Sequence, residues 1–227
     1  MWNGGLGPQC TNVTRRLSLG RVEKRYRGPD GAERCRREVA CLSYLRKYLP
    51  VPEVFELNSA PAGVVMSELT GRHGQELLDE GHARLVMRLV GSTLRTLQAL
   101  PVDTVAGIPG DGDVLVHGDF GPQNMLFDLA NAPRVTAVLD WEFAHLGQPV
   151  EDLAWAEWIV RTHHSDHIDS LEELLAQSGM SASWTDRHAA MVRRCHDLLR
   201  LSSTAGSSAG EVLWRERLIA TEAWTSE

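Results

Sequence analysis

The sequence predicts an α+β fold of two unequal lobes: a small antiparallel β-sheet carrying one helix over residues 1–66, then a mainly helical lobe over residues 67–227. Three observations predict it. Short alternating apolar runs, separated by Gly and Pro breaks, fill the chain as far as Glu68. Apolar residues at spacings of three and four dominate after about residue 78. Between residues 114 and 140, brief apolar strands flank a loop rich in His, Asp, Gln and Asn. The 227 residues suit one compact two-lobed unit, since length alone is a soft guide to domain number.

Taken in order, Val13 to Leu19 and Arg21 to Tyr26 alternate as strands do about a turn at Gly20, and predict a hairpin. Gly28-Pro29-Asp30-Gly31 breaks the pattern. Residues 33–49 then read as a helix, with Cys35, Glu38, Leu42, Leu45 and Leu49 spaced by three, four, three and four. Glu38 shares that apolar face, where a carboxylate is costly unless paired. Of the 23 basic residues only Lys24 and Lys47 are lysine, and Lys24 lies on the strand nearest in sequence. A Lys24–Glu38 pair resolves the buried charge; a frayed helix start that lets Glu38 reach water is the alternative. Pro50-Val51-Pro52 closes the helix, and Val51 to Leu57 and Gly63 to Glu68 read as two more strands about the turn Asn58 to Pro61. Gly71 marks a further break, after which Leu85, Leu89, Val90, Leu94 and Leu97 predict one long helix over about 78–100.

Composition narrows the function classes. At 43% hydrophobic and 23% charged the chain falls in the globular range, and no apolar run approaches the roughly 18 residues that a membrane span needs. The first residues lack the basic start and apolar stretch of a secretory signal, so the expectation is a soluble, cytoplasmic protein without a membrane partner. Cys10, Cys35, Cys41 and Cys195 form no CxxC pair and predict thiols rather than a disulfide framework. The net charge of −7 is uneven: residues 1–71 carry 11 basic and 7 acidic side chains, residues 72–227 carry 12 and 23. An anionic ligand is favoured at the front and a cationic or neutral one behind, with a merely solvated acidic surface as the alternative; nucleic acid is not an expected partner.

The chemistry concentrates between residues 114 and 154. Val114-Leu115-Val116 leads into His117-Gly118-Asp119-Phe120-Gly121-Pro122-Gln123-Asn124, and Met125 to Phe127 is again strand-like. Ala130 to Pro133 makes a turn, and Val135 to Leu139 returns to end in Asp140-Trp141-Glu142. In such a hairpin Asn124 precedes one strand and Asp140 follows the other, which brings their oxygen-bearing side chains to neighbouring ends. Two such oxygens, completed by water and phosphate, suit Mg²⁺. Asp119 lies on the loop above them.

HGD-x₄-N followed by a strand and DWE resembles the aminoglycoside phosphotransferase and choline kinase family of protein-kinase-like enzymes. The run Asp140 to Ala154 is similar to that family's DWE-x₄-G-x-P-x₂-DLA, with Gln148 where aspartate is common. The likeness covers about residues 11–165. It implies a protein-kinase-like two-lobe fold in which residues 1–66 form the nucleotide lobe and residues 67–227 the catalytic and substrate lobe. Asp119 would be the catalytic base, orienting the acceptor hydroxyl, and Asn124 and Asp140 would hold Mg²⁺. Lys24 would clamp the phosphates of ATP, with GTP left open, and Glu38 would position it. Met66, Ser67, Glu68 and Leu69 would form the hinge that holds adenine. Thr11 and Asn12 would end a short substitute for the phosphate loop beginning at Gly4-Gly5-Leu6-Gly7. His117 would brace the loop and Asp152 accept from its backbone, although Asp152 also suits a helix start after Pro149. Glu142 and Glu157 are the candidates for contact with an amino-bearing acceptor such as an aminoglycoside-like antibiotic or an amino alcohol, with an exposed Glu157 as the alternative.

The function expected is therefore ATP- and Mg²⁺-dependent transfer of phosphate to a hydroxyl of a small molecule, by a monomer or a homodimer. The alternatives are a pseudokinase-like nucleotide-binding module and a protein kinase, the latter opposed by DWE in place of DFG and by the lack of an APE segment. No P-loop or G-x-S-x-G run is present, and the front glycines lack the dinucleotide fingerprint. His163 and His167, four apart, have metal-ligand spacing but read as a surface helix end. Ser202 to Gly210 reads as a flexible connector before a last helix, 211–224.

Overall fold

A computed structural model describes residues 12–18, 20–28, 30–102 and 107–225. The predicted hairpin forms from β1 (Val13–Ser18) and β2 (Arg21–Arg25), with Gly20 between them at φ +77°. β3 (Val54–Ser59) and β4 (Ala62–Ser67) complete a four-stranded antiparallel sheet of order β1-β2-β4-β3. The strand period of two sends Lys24 and Tyr26 to the same side, both buried. Helix α1 (Gly31–Leu45) buries Cys35, Glu38, Leu42 and Leu45. It stops four residues before the predicted end, and Tyr48 and Leu49 donate back to the Leu45 carbonyl as the chain turns into Pro50.

The long helix expected over 78–100 is in two parts. After β5 (Arg72–His73), helix α2 (Gly74–Leu77) runs into a wide turn at Leu78–His82, in which Gly81 takes φ +90°, and α3 (Ala83–Gln98) starts afresh. A left-handed residue cannot continue an α-helix, and glycine adopts that conformation without the steric cost of a Cβ. The apolar stripe is borne out in part: Val90, Leu94 and Leu97 of α3 are fully buried, Leu85 and Leu89 only partly, and Val86 and Met87 complete the buried face instead.

β6 (Val114–Val116) leads into the loop, and β7 (Met125–Asp128) and β8 (Arg134–Val138) make the predicted hairpin, with β5 on the other edge of β7. β9 (His145–Gly147), which lies in the stretch between the DWE run and Pro149, pairs antiparallel with β6. The remainder is helical: α4 (Val150–His163), α5 (Leu171–Ser178), α6 (Trp184–Thr204) and α7 (Ser208–Glu222). The expected flexible connector over 202–210 is a tight turn instead. Ser202 is buried within α6, Gly206 turns the chain at φ +66°, and the Ser207 hydroxyl accepts from the Gly210 N–H to cap α7. Serine and glycine there act as cap and turn residues.

Two apolar cores meet at α4. One joins α1, β4, α3, the loop residue Phe120 and Met125 and Phe127 of β7 to Leu153, Ala156 and Val160. The other packs Trp155, Trp158 and Ile159 against Met191, Cys195, Leu198, Trp214 and Leu218 of α6 and α7. Residues 152–160 are consequently buried without interruption, as expected for a helix enclosed on both sides. Among the described residues no helix is long and apolar enough to cross a membrane.

Candidate active site

The loop after β6 is held from beneath by α4. Both Asp152 oxygens accept backbone N–H groups, from His117 at 2.7 Å and from Gly118 at 3.0 Å. Gly118 has φ +82°, and a Cβ there would meet the Phe143 carbonyl oxygen at 2.5 Å, so the turn requires glycine. The His117 ring is fully buried between Leu139 and the loop. Its Nε2–H donates to Leu139 O at 2.9 Å and its Nδ1 accepts from the Asp119 N–H at 3.2 Å, an arrangement that needs the neutral ring. Burial lowers its pKa to about 4, consistent with that state. Burial also raises Asp152 to about 6, against the pull of its two N–H donors.

Asp119 projects from this braced turn. Oδ1 accepts from the indole N–H of Trp155 at 2.7 Å and more weakly from Gln123 at 3.3 Å, and Oδ2 accepts from Asn124 Nδ2 at 2.8 Å. Burial pushes its carboxyl up to about 6, with the Trp155 hydrogen bond opposing the shift. Three donors fix its orientation while leaving it ionised at neutral pH.

Asn124 and Asp140 come to adjacent hairpin ends, because the Leu139 N–H donates to Asn124 O at 2.8 Å. Asn124 uses its amide nitrogen on Asp119, so none of those bonds involves its Oδ1. Asp140 is the one non-glycine among the described residues at positive φ, +68°. Its Oδ1 receives Lys24 Nζ at 2.6 Å. Two hard oxygen donors of this type fit Mg²⁺, which needs only one or two from protein. Glu38, Asp140 and Glu142 also each offer an oxygen within 4.8 Å of the others, but each is already paired with Lys24 or Arg34.

The Lys24–Glu38 pair is present: Nζ lies 2.6 Å from Glu38 Oε2 and 3.7 Å from Glu142 Oε2. Tyr26 donates its hydroxyl to the same Glu38 oxygen at 2.5 Å, and Glu38 Oε1 accepts the Trp141 N–H at 3.3 Å. Burial alone would depress the Lys24 ammonium, yet Asp140, Glu38 and Glu142 hold it above its ordinary value. Arg34 reaches Glu142 Oε2 at 2.8 Å, and Arg37 donates to the Glu142 carbonyl at 3.2 Å. Helix α1 is thereby tied to the segment 140–142 at three points, through Arg34, Arg37 and Glu38.

The remaining predicted residues fall as follows. Asn12 bonds Glu142 and accepts from Arg34, and Thr11 lies outside the described residues. In the stretch Met66 to Leu69, the Ser67 and Glu68 N–H groups already donate to Glu53 and Gly20, at 2.8 and 2.9 Å. Leu69 keeps its backbone free of such bonds among the described residues. Glu157 is 1% exposed and holds Arg161 at 2.9 Å and Arg187 at 2.6 Å. Neither Glu157 nor Glu142, 4% exposed, presents an unpaired carboxylate to a ligand.

Sequence reasoning missed Tyr26, Arg34 and Trp155, although each had a signal. Tyr26 is two residues from Lys24 on one strand face, Arg34 is four before Glu38 on one helical face, and Trp155 is three after Asp152. Trp155 also lines a cavity of about 450 Å³ together with Gly118, His145, Arg193 and Arg194.

Comparison with known proteins adds the following. The chain matches the phosphotransferase enzyme family over residues 11–113 and 106–190. A stretch of 46 residues is 50% identical to acyl-CoA dehydrogenase family member 11 of Gallus gallus, covering 20% of this chain and 6% of that protein. Another of 62 residues is 40% identical to viomycin phosphotransferase of Streptomyces vinaceus, covering 27% of this chain and 19% of that protein. The matched segments thus span a small part of both relatives. The GDP complex of wild-type aminoglycoside 2'-phosphotransferase-IIIa superposes with a TM-score of 0.74 at 17% identity, over 96% of this chain and 91% of that one. The two-lobed, protein-kinase-like α+β fold is therefore the fold observed.

Proposed function

Because the chain belongs to the phosphotransferase enzyme family, we propose that it transfers the γ-phosphate of ATP to a hydroxyl group of a small molecule. The observation that carries this reading is the placement of Asp119, anchored by Asn124 and Trp155, on a loop whose hairpin also ends in Asp140, itself in contact with Lys24. Residues up to Met66 form the nucleotide lobe in this reading, and residues from Ser67 onward the catalytic and substrate lobe.

The roles follow from geometry. Asp119 accepts a hydrogen bond from the acceptor hydroxyl and aims its oxygen at the γ-phosphorus. The new O–P bond forms as the bond from phosphorus to the β–γ bridging oxygen breaks; ADP leaves with that electron pair, and the hydroxyl proton passes to the Asp119 carboxylate. Lys24, presented by Glu38, is the cation for the phosphates, and Leu69 offers the free hinge backbone. Asn124 and Asp140 would hold Mg²⁺, which supplies charge neutralisation of the triphosphate when bound. GTP is the alternative donor, since the aligned relative was solved with GDP.

The relatives are named for aminoglycoside and viomycin phosphorylation. An amino-bearing acceptor drew its support here from Glu142 and Glu157, and both are engaged by arginines. Neither glutamate is left free to hold an acceptor's ammonium group.

Asp119→Asn tests the reading. It is expected to bind nucleotide as the parent does and to lose phosphate transfer by about 10²–10⁴-fold. Equal transfer rates would remove Asp119 from its role, and the absence of ATP turnover by the parent over a broad acceptor panel would favour a nucleotide-binding module.

A further inference from the structure

The cavity of about 450 Å³ adjoins the base through two of its lining residues, Gly118 and Trp155. Gly118 precedes Asp119 in the chain, and the Trp155 indole donates to Asp119 Oδ1 at 2.7 Å. An acceptor whose hydroxyl reaches Asp119 would place the rest of its body here.

Charges around the cavity are unequally satisfied. Asp152 spends both oxygens on the N–H groups of His117 and Gly118. Glu151 accepts from the Gln148 N–H at 2.7 Å through one oxygen and meets His145 Nε2 at 2.9 Å through the other. Asp197 is paired with Arg200. The two arginines of the lining, Arg193 and Arg194, make no ion pair among the described residues.

Arg194 carries the argument further. Its guanidinium lies over the ring of Phe143, 5.5 Å from the centroid, and over that of Trp155 at 5.7 Å. Its Nε is buried without a hydrogen-bond partner. A buried, unpaired donor on a charged group is costly to leave unmade. Stacking between two aromatic faces holds the planar fork in place, and that fork matches the geometry of carboxylate and phosphate oxygens. Burial works against its charge, which Asp119 and Asp197 support only from a distance. Arg193 is exposed and adjacent at the cavity rim.

We infer that the acceptor hydroxyl is carried by an anionic small molecule, a hydroxycarboxylate or a phosphorylated alcohol, whose anionic group is bound by Arg194 and Arg193 in the cavity beside Asp119. This rests on the reading of Asp119 as the base and names the acceptor class for it. It reverses the expectation from the acidic composition of residues 72–227, because the carboxylates lining this cavity are engaged and its arginines are not.

The test uses matched acceptors at fixed ionic strength with MgATP: a 3-hydroxy acid against its methyl ester, a sugar phosphate against the free sugar, and an amino alcohol. The anionic member of at least one pair is expected to exceed its neutral partner in kcat/KM by about tenfold or more, and the pair that responds distinguishes carboxylate from phosphate. Arg194→Met should raise KM for that acceptor about tenfold and collapse the ratio. Arg193→Gln, at an exposed position, should shift it in the same direction and serves if Arg194→Met does not fold. Equal or better use of the neutral partner in both pairs, or of the amino alcohol over both anionic acceptors, would overturn the inference.

A second arm needs no turnover. With MgADP saturating the nucleotide site, inorganic sulfate should raise the Tm of the parent protein and raise it less in Arg193→Gln and Arg194→Met. Equal shifts in all three would overturn the inference. Turnover failing with every acceptor while sulfate still discriminates would instead count against the catalytic reading and leave the anion site standing.

Discussion

Replacing Lys24 with Met removes the ammonium that lies against Glu38, Asp140 and Glu142. The three carboxylates keep an oxygen each within 4.8 Å of one another, and Arg34, at 2.8 Å from Glu142, remains as the near cation. Removing one partner of a buried pair costs about 3–5 kcal/mol. The Lys24 and Glu38 side chains are only 6% and 2% exposed, whereas Asp140 is 38% exposed and partly screened, so the lower end, about 3 kcal/mol, applies. At about 2.1 cal/mol/K per residue, a chain of 227 residues has an unfolding entropy near about 0.5 kcal/mol/K, and the loss becomes a fall in Tm of about 6 °C. The deficit should depend on pH. Burial already raises Glu142, so the folded chain binds more protons there than the unfolded chain, and this group's contribution to stability falls as pH rises. Without Lys24, Glu142 and Asp140 both lose the cation that holds their carboxyls down, and the gap between the proteins should be widest at about pH 8 and narrow towards about pH 5. Thermal unfolding followed by circular dichroism at the two pH values reads both effects. Identical Tm values, or a gap that widens on acidification, would refute the claim that Lys24 neutralises this cluster.

Other perturbations separate chemistry from scaffold. Trp155→Phe deletes the donor to Asp119 Oδ1; the carboxylate, already raised to about 6, should titrate higher, and the acid limb of the kcat profile should move to higher pH. A pH–rate comparison in which that limb stays put would deny the hydrogen bond its role. Asp152→Asn offers one acceptor to two N–H groups and should cost about 1–3 kcal/mol, measured by urea unfolding, together with a fall in kcat. Trp214→Ala, emptying a fully buried site in the core beneath α4, should cost about 3–5 kcal/mol. Recovery of full activity at low temperature would mark that last effect as one of stability alone.

The parts legible in the sequence were those in which pattern and chemistry agreed. The hairpin from Met125 to Val138 combined alternation with a turn, and Glu38 declared its need for a partner by lying on an apolar stripe in a chain with two lysines. The arginine partners stayed hidden because 21 arginines leave no single one conspicuous. Arg34 shares a helical face with Glu38, but its partner Glu142 is defined only when α1 folds against segment 140–142. The exposed alternative for Glu157 fails for a related reason: α4 is covered on both sides, so a carboxylate that local pattern would put at a surface is buried against Arg187, 30 residues later in the chain. Gly81 and the Ser202 to Gly210 stretch show the same limit, since glycine and serine mark helix ends and tight turns as readily as slack segments.

The enclosure of α4 has a consequence for how the enzyme would fail. The rod that carries Asp152 and Trp155 to the loop is clamped on its far side by Met191, Leu198, Trp214 and Leu218. Prying α6 and α7 away would unseat that rod, and the Asp119 carboxylate, proposed as the base, would lose its aim while every residue of the proposed site was still in the chain. Damage more than 60 residues downstream of Asp119 would then register first as lost turnover, before any general collapse.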